Sequence, residues 1–80
     1  AIAGLHGVNA EIIEFAVHKR NRLLNHPIKN LHFPDRSIIA GVVRGENSFV
    51  PEGESFLELG DKVIVLALPE AIHKLEKIFK

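Results

Sequence analysis

Two segments constrain this chain more than any other feature: Ser37-Ile38-Ile39-Ala40-Gly41-Val42-Val43-Arg44 and Lys62-Val63-Ile64-Val65-Leu66-Ala67-Leu68. Both are short and rich in β-branched residues, so they read as strands. Strict alternation puts Ile38, Ala40, Val42 and Arg44 on one face of the first, and Ile39, Gly41 and Val43 on the other. In the second, Ile64 and Leu66 oppose Val63, Val65 and Ala67. A strand apolar on both faces belongs in the middle of a sheet that is covered on both sides. Eighty residues are few for that task, because a domain of this size buries only about 60% of the surface its unfolded chain exposes. With no cysteine in the chain, neither a disulfide nor a thiolate zinc site can brace it. The pattern therefore predicts that a second copy, a neighbouring domain or a ligand covers the remaining face.

The rest of the chain supplies the partners of these strands. Residues 1–9 hold Ala3, Gly4 and Gly7 without a sustained period and read as a flexible lead-in or linker end; residues 10–80 form one domain. Glu11 to His18 alternates, with Ile13, Phe15 and Val17 on one side and Glu14 and His18 on the other, as in a strand with one buried face. Leu24, Ile28 and Leu31 share a helical spacing around Pro27, which predicts a short helix of about one to two turns from about Pro27 to Leu31. Gly45-Glu46-Asn47-Ser48 is a hairpin turn, Phe49 and Val50 return as a strand, and Pro51 ends it. Ser55 to Leu59 is a further short extended piece. Pro69 and Glu70 open an amphipathic helix whose stripe is Ala71, Ile72, Leu75, Ile78 and Phe79. The resulting class is α+β, a mostly antiparallel sheet of four to five strands with one short helix and one C-terminal helix.

Composition and motifs exclude several functions. Ten basic and ten acidic residues cancel, whereas nucleic-acid binders carry a basic excess. The one basic cluster, His18, Lys19, Arg20 and Arg22, is short and reads as a solvated turn. No apolar run reaches the ~18 residues that span a bilayer, and the start lacks the layout of a signal peptide, so a soluble module without membrane insertion is expected. The lack of cysteine fits a reducing compartment. Catalytic signatures are missing: Ser37, Ser48 and Ser55 stand outside any nucleophile elbow. His6, His18, His26, His32 and His73 show no metal-binding spacing, so no metal site is expected. Glu46, Glu52, Glu54, Glu58 and Asp61 lie in turns without calcium-loop spacing and read as a solvated acidic face. No glycine-rich phosphate loop occurs. The chain is expected to be non-catalytic.

One ordered set of motifs remains. Gly7-Val8-Asn9-Ala10-Glu11-Ile12-Ile13-Glu14-Phe15 is followed by Leu24-Asn25-His26-Pro27-Ile28-Lys29-Asn30-Leu31, then Ile38-Ile39-Ala40-Gly41-Val42-Val43-Arg44-Gly45. Val50-Pro51-Glu52-Gly53 and Leu57-Glu58-Leu59-Gly60-Asp61-Lys62-Val63-Ile64-Val65 complete it. This series resembles the TrkA C-terminal, or RCK C-terminal, domain from Gly7 onward. The resemblance implies a cytoplasmic regulatory and homodimerising module of a Trk-type potassium uptake system, acting on a membrane transporter subunit. It also implies a preceding nucleotide-binding domain, where NAD(H) would bind. In some family members a cleft between two such domains holds cyclic di-AMP, so that ligand or another small nucleotide is expected here. The positions similar to the family's ligand contacts are Ile38, Ile39, Arg44, Asn47, Val50 and Pro51. A purely structural assembly domain, or the same module in another cation or anion transporter, is the alternative. Arg44 could donate to a phosphate, or instead pair with Glu46 or Glu11, or cap the strand end in water.

Overall fold

A computed structural model describes residues 9–18 and 22–80. Among these, four strands form one antiparallel sheet: β1 (Glu11–Ala16), β2 (Ser37–Arg44), β3 (Asn47–Phe49) and β4 (Lys62–Ala67), in the spatial order β1-β4-β2-β3. The two doubly apolar segments are thus the two inner strands, as their composition requires. A single helix, α1 (Pro69–Ile78), follows β4. The α+β antiparallel architecture is the one the pattern predicts.

Register explains which side chains meet. Glu11 opposes Ala67, Ile13 opposes Val65 and Phe15 opposes Val63, so these residues share one face. On that face α1 lays down Ala71, Leu75 and Phe79, all buried against Val42, Val63, Val65 and Ala67. Phe79 stacks on Phe15 with ring centroids 4.5 Å apart. Pro69 occupies the first turn of α1, and Glu70 adds a carboxylate near its positive end. The predicted stripe is the packed one, with Ile72 and Ile78 half-buried beside it.

Three details depart from the sequence reading. First, β2 does not alternate strictly. Ile39 opposes Val65, but the next pair is Gly41 with Ile64, which leaves Ala40 as the extra residue of a β-bulge. The bulge resets the phase. Ile39 therefore joins Val42 on the packed face, while Ile38 and Val43 point to the other. Second, Ile28–Asn30 is a single 3-10 turn, and Pro27 precedes it in extended conformation (φ −67°, ψ 152°). Pro27 pairs there with Phe56 in an isolated bridge, so it is the extended residue that caps the turn rather than its first helical residue. Third, Ser55 to Leu59 contributes only that bridge and is not a fifth strand. The lead-in lies outside the described residues except for Asn9, as do Lys19 and Arg20 of the basic cluster and His6.

The face opposite α1 carries Ile12, Ile38, Val43, Ile64 and Leu66 by register. Neither α1 nor the 3-10 turn lies over it, since both pack on the other side through Leu75 and Ile28. Ile38 remains 61% exposed.

Candidate functional site

Two features flank β2, one at each end. At its C-terminal end stands an ion-pair network. Glu58 to Asp61 forms a turn closed by the Asp61 N–H donating to the Glu58 carbonyl (3.0 Å). Gly60, at φ +88°, occupies the third position of this turn, as a type II turn requires. The turn delivers the Asp61 side chain inward, where it is only 1% exposed. Its Oδ2 accepts from the Glu58 N–H (2.8 Å) and from Arg44 Nη2 (2.8 Å), and its Oδ1 accepts from Arg44 Nε (2.9 Å). Arg44 Nη2 also donates to the Phe56 carbonyl (3.0 Å), and Nη1 lies 2.9 Å from Glu58 Oε2. The guanidinium sits 4.9 Å from the centroid of the Phe49 ring, a cation–π contact. Hydrogen bonds from Arg44 hold the Asp61 carboxyl below the usual carboxylate range, against burial, which pushes it up. The same hydrogen bonds raise the Arg44 guanidinium further, against its own desolvation.

Asp61 is thus not part of a solvated acidic face, as its turn position predicts. The turn is exposed, but its Gly60 geometry and the reach of Arg44 draw the carboxylate inside. Likewise Arg44 pairs with neither Glu46 nor Glu11. Its partners are Asp61 and Glu58, because β2 and β4 run antiparallel with Val43 opposite Lys62. That register sets the end of β2 beside the residue that precedes β4. The signal was present in the sequence: a single arginine ends one doubly apolar segment, and a single aspartate opens the other.

At the N-terminal end of β2 is a cleft of about 210 Å³, lined by Ile28, Phe33, Ile38, Ile39, Pro51 and Glu52 among others. It is mostly apolar, with Ser37 at its wall. The Ser37 hydroxyl donates to the Pro34 carbonyl (2.6 Å). Three of the six sequence-predicted site residues, Ile38, Ile39 and Pro51, therefore meet here. Val50 is next to Pro51 in the chain and 75% exposed. Arg44 and Asn47 are paired at the other end of the β2–β3 hairpin. Six residues of extended chain separate Arg44 from Ile38, about 20 Å, so a single chain does not gather all six around a single cleft. Ile28 and Phe33 are cleft residues that sequence reasoning did not single out. Their apolar character in a loop between breaker residues was the available clue. His18, His26, His32 and His73 are exposed, and the described residues contain no group of three His, Cys, Asp or Glu that could hold a metal ion.

Comparison with known proteins fits this geometry. The family model for the TrkA-C domain matches residues 12–80. The chain belongs to the TrkA-C domain family. It is 35% identical, over its whole length, to the Trk system potassium uptake protein TrkA homolog 2 of Methanosarcina mazei, of which it spans 18%. It is 33% identical over 86% of its length to a TrkA homolog of Archaeoglobus fulgidus, spanning 16% of that protein. The chain thus covers under a fifth of these relatives. It is also similar to a solved RCK domain with cda, at 26% identity and a TM-score of 0.75, covering 86% of this chain and 97% of the other. The K(+)/H(+) antiporter NhaP2 of Shewanella oneidensis is 29% identical over 86% of this chain, which spans 12% of it.

Proposed function

We propose that this TrkA-C domain is the non-catalytic regulatory module of a Trk-type potassium uptake protein, working as a cytoplasmic homodimer. Its role is to bind a small nucleotide and pass its binding state to a membrane transporter subunit. The potassium link is supported by the names of its TrkA relatives. Among the described residues no helix is long and apolar enough to cross a membrane, which is consistent with a peripheral role.

The observation that carries the ligand reading is the apolar cleft at Ile38, Ile39 and Pro51. Pockets for drug-sized molecules run from about 300 to 1,000 Å³, and this cleft is smaller. Two such clefts facing each other would suit a symmetric ligand such as cyclic di-AMP, with isoleucine side chains beneath each base. A second copy would also cover the open apolar face, which includes the exposed Ile38. A similar RCK domain was solved with cda, which supports a ligand-binding reading for this chain. NAD(H) belongs to a preceding nucleotide-binding domain under this reading.

Arg44 favours a second reading, a purely structural assembly domain, because its guanidinium is already committed to Asp61. A phosphate could still reach Nη1 by displacing the exposed Glu58. Isothermal titration with cyclic di-AMP and a panel of mono- and dinucleotides separates the readings. Binding that is lost in Ile38→Asp supports the regulatory reading. No heat from any nucleotide, with an intact dimer by sedimentation, selects the structural one.

A further inference from the structure

A second cleft, of about 730 Å³, lies between the segment that starts at Arg22 and the end of α1. It shares no lining residue with the cleft on β2. Its lining carries Arg22, His26 and His32 from one segment and Lys77 and Lys80 from the other, and among the described residues no Asp or Glu lines it. In a chain of zero net charge, this is a local concentration of cationic and imidazole groups. Among the described residues Arg22, Lys77 and Lys80 have no ion pair, as is also true of Lys62 and Lys74 outside the cleft, so what distinguishes the cleft is the gathering of its cations rather than their lack of partners. Lys77 sits in the last turn of α1, where a cation complements the negative helix end. That accounts for Lys77 but not for Arg22 and the two histidines, which approach from a different segment. The apolar part of its lining comes from Leu23, Leu31 and Ile78, which are buried or half-buried.

We propose that this cleft is a binding site for a small phosphate monoester with an apolar body. An arginine and a lysine that line the cleft from two different segments supply charge-assisted donors to the phosphate oxygens, and Leu31 and Ile78 take the apolar portion. The volume lies within the usual range for such ligands. A single cleft on a neutral chain is not the extended basic stripe of a nucleic-acid surface. The site stands independently of the β2 cleft, so failure of either leaves the other intact.

The test is an NMR titration of the ¹⁵N-labelled 80-residue chain with phenyl phosphate, inorganic phosphate and phenol in turn. Phenyl phosphate is expected to give saturable shifts at Arg22, Asn30 to His32, and Lys77 to Ile78. Inorganic phosphate should bind more weakly, and phenol should leave these signals unmoved. Arg22→Ala with Lys77→Ala removes two exposed, unpaired cations and should weaken phenyl phosphate by about tenfold or more, with signals of the sheet unchanged. Saturable shifts confined to Ile38 and Pro51, equal affinity in the double variant, or no saturable shift at millimolar phenyl phosphate would each overturn the proposal. So would binding to phosphatidylglycerol vesicles without binding of the soluble ester.

Discussion

Three parts of the chain meet at Asp61: the turn that precedes β4, the end of β2, and the backbone at Phe56 through the shared guanidinium. Breaking a buried ion pair by removing one partner costs about 3–5 kcal/mol. Arg44 is one-third exposed and keeps Glu58, so Asp61→Ala should fall near the lower end, about 3 kcal/mol by urea unfolding. Because the Asp61 carboxyl is held low in the folded state, its contribution is present above the ordinary carboxylate value. It is lost as pH falls through the lowered one, below about pH 4. The raised Arg44 value acts in the opposite sense, its contribution fading only in strong alkali. Acid unfolding curves of the wild type should therefore steepen below pH 4 (about one unit either way), and those of Asp61→Ala should lack that component. This network also explains why Arg44→Ala is a poor probe of ligand binding, since it removes the partner of a buried carboxylate.

At the scale of elements, β-propensity and double-sided apolarity were enough to place β2 and β4 at the centre of the sheet, and proline with an apolar stripe located α1. The bulge at Ala40 was not legible. Nothing in Ile38-Ile39-Ala40-Gly41 says which residue is unpaired, because the phase is fixed by pairing with β4 rather than by the strand itself. The 3-10 turn falls within the short helix expected at Pro27 to Leu31; what was not legible is the bridge that holds Pro27 extended against Phe56, a residue 29 positions further on. For the same cause the candidate site was only partly legible. Ile38, Ile39 and Pro51 were named and do meet, while Ile28 and Phe33 needed the fold to bring them in. Leu75, fully buried between α1 and the sheet, measures how far α1 is held by packing. Leu75→Ala should cost about 2–5 kcal/mol, read as a lower urea midpoint with an unchanged slope.

For the whole molecule, an uncovered apolar sheet face and an undersized cleft point the same way. A second copy would cover the one and complete the other. Ile38 is well exposed, so Ile38→Lys should leave the fold stable yet shift sedimentation equilibrium from dimer toward monomer. An unchanged dimer would place the interface elsewhere. The measurement that reaches the central claim most directly is the calorimetric stoichiometry of cyclic di-AMP, with the mass of the complex taken from the same sample. A ligand shared across a two-fold axis gives one molecule per two chains. One molecule per chain, or no heat from an intact dimer, would contradict the account.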